Sequence, residues 1–206
     1  MIKIRLRFAK NGGLRFIGHL DFLRVFQQTM RRAQVPAAYS QGFNPHLLVS
    51  FALPLPLGMA SVHDYVDIQL TEKMQLDALI QAINTHAPDG LTITGAVPVE
   101  SGPNAASLAM AADYALDPPP SADAVAALLG AQTYVVTKKT KSGLANVDIR
   151  PDIFDLWADG PVHMRLAAGS QRFLSPSLVA GLLCEDAAIT RVQLYKSDGN
   201  GGLDSL

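Results

Sequence analysis

Three observations in the sequence predict an α+β chain built as two copies of one strand-helix-strand-strand-helix-strand unit. Residues 2–8 alternate apolar and basic side chains, the period of a half-buried strand, and residues 19–34 switch to the three- and four-residue spacing of an amphipathic helix. The same succession of periods recurs after residue 113. Between the two runs, residues 100–112 are rich in Ser, Gly, Pro, Asn and Ala, which is the composition of a boundary.

In the first strand Ile2, Ile4, Leu6 and Phe8 form the apolar side and Lys3, Arg5 and Arg7 the basic one. Asn11-Gly12-Gly13 supplies a turn. In the helix, Phe22, Leu23, Phe26, Met30 and Ala33 fall on one side, Asp21 sits in the first turn and Arg31 and Arg32 in the last, as the helix dipole favours. A mostly apolar strand over 47–53 ends at Pro54 and Pro56, and 65–70 alternates again. A helix over 72–86 stops at Pro88-Asp89-Gly90, and 91–97 completes the set. This order is the split βαβ or ferredoxin-like plan, an antiparallel four-stranded sheet carrying two helices.

The second unit starts with a strand at 113–116, a helix at 121–130 with Ser121 as N-cap, and a strand at 133–137. Segments 146–149 and 154–157 suit either strand or turn. A strand at 162–167, a helix at 175–184 with Pro176 at its first position, and a strand at 189–195 close the copy. The expected organisation is two tandem ferredoxin-like (βαββαβ) domains with antiparallel sheets, the second decorated. Residues 1–100 form the first domain and 113–196 the second. Residues 101–112 form a linker, with 105–112 an alternative short helix, and 197–206 a flexible tail without a core-forming pattern.

The 206 residues suit one large or two small domains, and 49% hydrophobic with 17% charged content suits a chain that buries a core. The N-terminus lacks an apolar signal region, and no apolar run approaches the about 18 residues of a membrane span. A cytoplasmic protein with no membrane contact is expected. The lone Cys184 excludes a disulfide framework and a thiolate-held iron–sulfur cluster.

A net charge of −1 hides a marked asymmetry. Up to residue 63, Lys3, Arg5, Arg7, Lys10, Arg15, Arg24, Arg31 and Arg32 face a single acid, Asp21. Acids dominate from 64 to 137, and Lys138, Lys139, Lys141 and Arg150 form a second basic cluster. A basic strand and helix attract phosphate-rich partners, and the same pattern serves as a solvated face.

Residues 36–58 join helix to strand through the stretch richest in binding chemistry. Tyr39-Ser40-Gln41-Gly42-Phe43-Asn44-Pro45-His46 breaks a helix and supplies aromatic faces, a hydroxyl, an amide and an imidazole. Arg5, Arg7, Arg15, Arg24, Arg31, Arg32, Lys138, Lys139 and Lys141 are therefore candidates for phosphate contact. Tyr39 and Phe43 are candidates for stacking on bases, and Ser40, Asn44 and His46 for hydrogen bonding. RNA, tRNA or rRNA, is the leading expected ligand. Docking of a protein partner through Leu53-Pro54-Leu55-Pro56-Leu57 is the alternative. A third is a hydrolase or endoribonuclease using His19 or His46, with His19 and Asp21, or His46 with His63 and Asp64, as an acid–base pair or a metal site. Ser40 lacks a nucleophile elbow, and no metal-ligand spacing appears, so neither a catalytic set nor a cofactor is expected.

Gly13-Leu-Arg-Phe-Ile-Gly-His-Leu-Asp21, Tyr39-Ser-Gln-Gly-Phe-Asn-Pro-His46, Ser50-Phe-Ala-Leu-Pro-Leu-Pro-Leu-Gly58 and Asp64-Tyr-Val-Asp-Ile68 together resemble the bacterial "radical SAM-linked protein" family. That is an uncharacterised domain found beside, or fused to, a radical SAM protein. Lys138-Lys-Thr-Lys141 and Val147-Asp-Ile-Arg-Pro151 extend the resemblance over most of the chain. After His46 the family pattern continues with Pro and Lys, where Leu47 and Leu48 stand here. The resemblance implies a radical SAM protein as partner. With one cysteine in this chain, the radical chemistry would belong to that partner, and this chain would present or recognise its substrate.

Overall fold

The computed structural model describes residues 1–100, 102–140, 143–158 and 160–206. They form a mixed α/β fold with one large, mostly antiparallel sheet and five α-helices. In the first half, β1 (Ile2–Lys10) leads into α1 (His19–Arg32), and β2 (Val49–Phe51) and β3 (Ala60–Leu70) precede α2 (Leu76–His86) and β4 (Leu91–Val99). After α3 (Ala105–Leu108) come β5 (Ala111–Asp117) and α4 (Ala122–Gly130), then a hairpin of β6 (Val135–Thr140) and β7 (Gly143–Asp148). The chain ends with β8 (Ile153–Ala158), β9 (Val162–Ala167), α5 (Pro176–Leu183), β10 (Ala188–Ser197) and β11 (Leu203–Ser205).

Strand alternation divides the sheet into a helix side and an open side. Ile4, Leu6 and Phe8 of β1 share a core with Phe22, Phe26 and Met30 of α1 and with Leu79 and Ile83 of α2. A second core joins Tyr114 and Leu116 of β5, Met164 and Leu166 of β9 and Leu194 of β10 to Leu128 of α4 and to Val179 and Leu183 of α5. Lys3, Arg5 and Arg7 alternate onto the opposite face of β1. Helix α1 closes in a Schellman pattern, with Gln34 at φ 53°, Val35 N–H donating to Met30 O and Gln34 N–H to Arg31 O.

The sheet runs β4-β1-β3-β10-β5-β9-β8, with β2 added to β3 and β11 to β10, while β6 and β7 pair apart. Both halves therefore share one sheet where separate ones are expected from sequence. The junction is a short parallel pairing, Ala60 with Thr190 and Ser61 with Arg191. Arg191, 1% exposed, reaches from β10 to Asp64 of β3, with Nε 2.9 Å from Oδ1 and Nη2 2.8 Å from Oδ2. Its Nη2 also donates to Leu53 O at 2.8 Å. Burial works against the charge of Arg191, and the Asp64 carboxylate and the Tyr114 hydroxyl together outweigh it, so the guanidinium pKa stands above its ordinary value.

Two expected irregular segments carry structure. Within the expected linker the alternative short helix over 105–112 is present as α3, followed by the start of β5, with Ala105, Ala109, Ala111 and Ala112 buried. Ala105 N–H donates to Asp67 Oδ2 (2.8 Å) and Lys3 Nζ to Gly102 O (3.0 Å), so this connection lies across the open side of the first half. The expected tail turns back through Gly199 and Gly201, both at positive φ, and β11 pairs Leu203 with Ser197 and Ser205 with Tyr195. Elsewhere, β2 is shorter than the expected 47–53, and α2 starts at Leu76, not at residue 72.

Removing one partner of the Asp64–Arg191 pair strands a buried charge. Asp64→Ala is expected to lower unfolding free energy in urea by about 3–5 kcal/mol. The double variant Asp64→Leu with Arg191→Met should lose clearly less than the sum of its single variants. Equal, additive losses would mean that the pair does not hold the halves together.

Candidate functional site

Residues 38–48 form a small hairpin that extends the β2 side of β3. Ala38 N–H donates to Gln69 O (2.7 Å), Leu48 N–H to Ala38 O (2.9 Å), and Gln69 N–H to Leu48 O (3.1 Å). At its neck Ser40 N–H donates to His46 O at 2.8 Å, and His46 N–H donates to Ser40 Oγ at 3.1 Å. Ser40 Oγ also lies 2.9 Å from His46 Nδ1. Since that oxygen already accepts from the backbone, its hydroxyl proton is free for Nδ1, which suits an imidazole protonated at Nε2. Beyond the neck, residues 41–46 are exposed and the Phe43 ring stands wholly in solvent. Tyr39 is 43% exposed.

The candidate acid–base groups are not brought together. His19 packs edge-on against Phe51 at 5.5 Å, Asp21 pairs with Arg24 at 2.8 Å, and His46 bonds to Ser40. Asp64 is occupied by Arg191. Among the described residues no group of three or more His, Cys, Asp and Glu stands together to hold a metal ion, and no helix is long and apolar enough to cross a membrane.

The basic residues form no single surface, because alternation gathers Lys3, Arg5 and Arg7 on the open side of β1 while α1 carries its arginines on the other side of the sheet. Arg5 is buried on the open side in a bidentate pair with Asp67 at 2.8 and 3.1 Å, which removes it from phosphate contact. Arg7, half-buried on the same side, donates from Nε to Thr94 Oγ1 (3.1 Å). Arg24, Arg31 and Arg32 are exposed on α1, across the sheet, and the Arg15 guanidinium lies over the Phe16 ring at 4.6 Å. Lys138 and Lys139 lie on β6, and Lys141 lies outside the described residues. Lys10 is 1% exposed, with Nζ 3.3 Å from Ile17 O and over the Phe22 ring. Burial lowers its pKa, Asp64 works in the other direction, and Arg191 adds to the lowering.

The open side of the second half holds a cluster that sequence reasoning missed. Trp157 of β8 and His163 of β9 are cross-strand neighbours with rings stacked at 5.1 Å and 10°. Arg165 of β9 lies 5.3 Å from the Trp157 ring and 4.6 Å from that of Tyr195, and grips Asp113 at 2.7 and 2.8 Å. The Asp113 hydrogen bond, against the effect of burial, raises the pKa of Arg165. Tyr195 Oη donates to Asp113 Oδ2 at 2.7 Å; burial first, then that bond, raises its pKa. Alternation in 162–167 does place His163 and Arg165 on one side. A bulge between Arg191 and Gln193 hides Tyr195, and residues 154–157 have no decisive period. A groove of about 550 Å³ beside this cluster is lined by Met110, Phe154, Asp155, Arg165 and Leu203, and another of about 800 Å³ lies along the first half, lined by Arg7, Tyr65, Val97, Lys196 and Leu206.

Fold and surface together define a mixed α/β protein with an exposed aromatic hairpin and an arginine–aromatic sheet face. The model of the family described as "Uncharacterized protein conserved in bacteria (DUF2344)" matches residues 3–176, and the chain belongs to that family. No curated protein matches the chain.

Burial, then the nearby Lys10 charge, holds the His19 pKa below its ordinary value. As pH falls, the unfolded chain therefore takes up the proton first, and stability declines from about pH 6.5 down to the folded pKa. Urea midpoints at about pH 7.5 and about pH 5.5 should differ less for His19→Asn than for the parent chain. An unchanged difference would show that His19 does not contribute.

Proposed function

We propose that this protein is a non-catalytic RNA-binding accessory protein, which presents or recognises the substrate of a radical SAM enzyme. The observation that carries the RNA reading is the hairpin: a phenylalanine ring held entirely in solvent on a neck closed by the Ser40–His46 bonds. An ordered, exposed aromatic ring serves binding and not the core, and unpaired bases stack on such rings. Asn44 and His46 beside it offer hydrogen-bonding groups. Arg31 and Arg32 on α1 are exposed and have no carboxylate partner among the described residues, so they are available to phosphate. The radical SAM partner rests on the sequence resemblance alone.

We further read residues 1–100 and 113–196 as two ferredoxin-like units, the second decorated by the β6–β7 hairpin. The strand orders β4-β1-β3-β2 and β10-β5-β9-β8 support this, since each places the fourth strand of its unit beside the first, then the third, then the second.

Binding to total cellular RNA and to tRNA should weaken with salt at a log–log slope of roughly four or more, as several phosphate contacts require. Arg31→Glu with Arg32→Glu should abolish most of it, and Phe43→Ala should weaken it about tenfold. Absence of binding at low salt would overturn the RNA reading. With the neighbouring radical SAM protein as bait, capture that disappears on nuclease treatment fits an RNA-bridged complex. Capture that survives it favours direct docking of the two proteins.

A further inference from the structure

We propose that the open sheet face of the second half is a base-stacking platform for single-stranded RNA, centred on Trp157. This rests on the RNA-binding reading and assigns it a second, separate surface. The partly exposed indole lies against the His163 imidazole at 10°, so the ring is fixed parallel to a neighbour and already part of a stack. Arg165 lies between Trp157 and Tyr195, and its guanidinium is fixed by both oxygens of Asp113. A base entering here meets aromatic faces already held in place, so little side-chain freedom is lost on binding.

The surroundings suit an unpaired strand. The groove of about 550 Å³ beside Arg165 has the apolar walls Met110, Phe154 and Leu203, and its size suits a base with its sugar. Asp155 at its edge can accept from an exocyclic amino group. The wider groove on the same open side carries Arg7 and Lys196, neither paired with a carboxylate among the described residues, as a rim for phosphates. A rigid duplex keeps its bases stacked on one another and cannot use a flat aromatic platform, whereas an unpaired strand can.

The chain has one tryptophan, so its intrinsic emission reports on this face alone. The test titrates unlabelled oligoadenylate and oligouridylate into the full chain and reads Trp157 emission, with anisotropy of labelled copies of the same oligonucleotides measured in parallel. Expected are saturable changes in emission along the anisotropy isotherm, an affinity loss of roughly tenfold in Trp157→Ala, and near-parental affinity in Trp157→Phe. RNA binding by anisotropy with Trp157 emission unchanged would overturn the platform and leave the hairpin reading standing. No binding in either channel would overturn both. Emission that responds to the radical SAM protein and not to RNA would make this face a protein dock and overturn the platform. The emission readout uses the parent chain and does not depend on any variant folding.

Discussion

The Asp64–Arg191 pair is the constraint on which the remaining architecture depends. Two small sheets that meet through only two residues of each strand have little backbone bonding to hold them. A buried guanidinium is costly unless its donors are met, and here the carboxylate of β3, the carbonyls of the 53–54 turn and the Tyr114 hydroxyl of β5 surround it. Because the carboxylate and the two carbonyls belong to the first half and the arginine to the second, satisfying this charge couples the placement of one half to that of the other. The bulge just after Arg191 is part of the same arrangement. It lets β10 send Arg191 to the helix side and then Gln193 and Tyr195 to the open side.

The charge asymmetry so prominent in the sequence has a different meaning in three dimensions. Eight cations in the first 63 residues suggest one basic surface, yet period-two alternation on β1 and the helix packed on its other face separate them by the thickness of the sheet. Arg5 and Lys10 are further withdrawn by burial. What remains accessible is the exposed side of α1, Arg15 before it, and Lys3 and Arg7 of β1 with Lys196. A count of charges along a chain does not measure a surface potential until the faces are known.

Much of the fold was legible because its signals are local. The alternation of β1, the apolar stripe of α1 and the Ser121 cap of α4, whose Oγ accepts from Ala124 N–H at 3.2 Å, are each written within a dozen residues. The same holds for the hairpin, whose Gly, Asn and Pro forbid a helix and leave Phe43 without a core to join. What escaped reading depends on distant partners. Ala105 and Ala109 look like linker residues until Asp67 and the sheet are beneath them, and 203–205 looks unstructured until β10 offers an edge. The Trp157 cluster was hidden for the same reason, since it is assembled from β8, β9, β5 and β10.

The two halves use one device to opposite ends. In each, a cross-strand arginine–aspartate pair joins the first strand to its neighbour on the open side: Arg5 with Asp67 in one, Asp113 with Arg165 in the other, the polarity reversed. In the first half the connection through α3 lies over the pair, Ala105 N–H takes a carboxylate oxygen, and the Arg5 side chain is 10% exposed. In the second half no chain segment bonds across the pair among the described residues. Arg165 is 29% exposed, with aromatic planes of Trp157 and Tyr195 beside it. The connection through α3 therefore leaves the pair of the second half more open to solvent than the pair of the first.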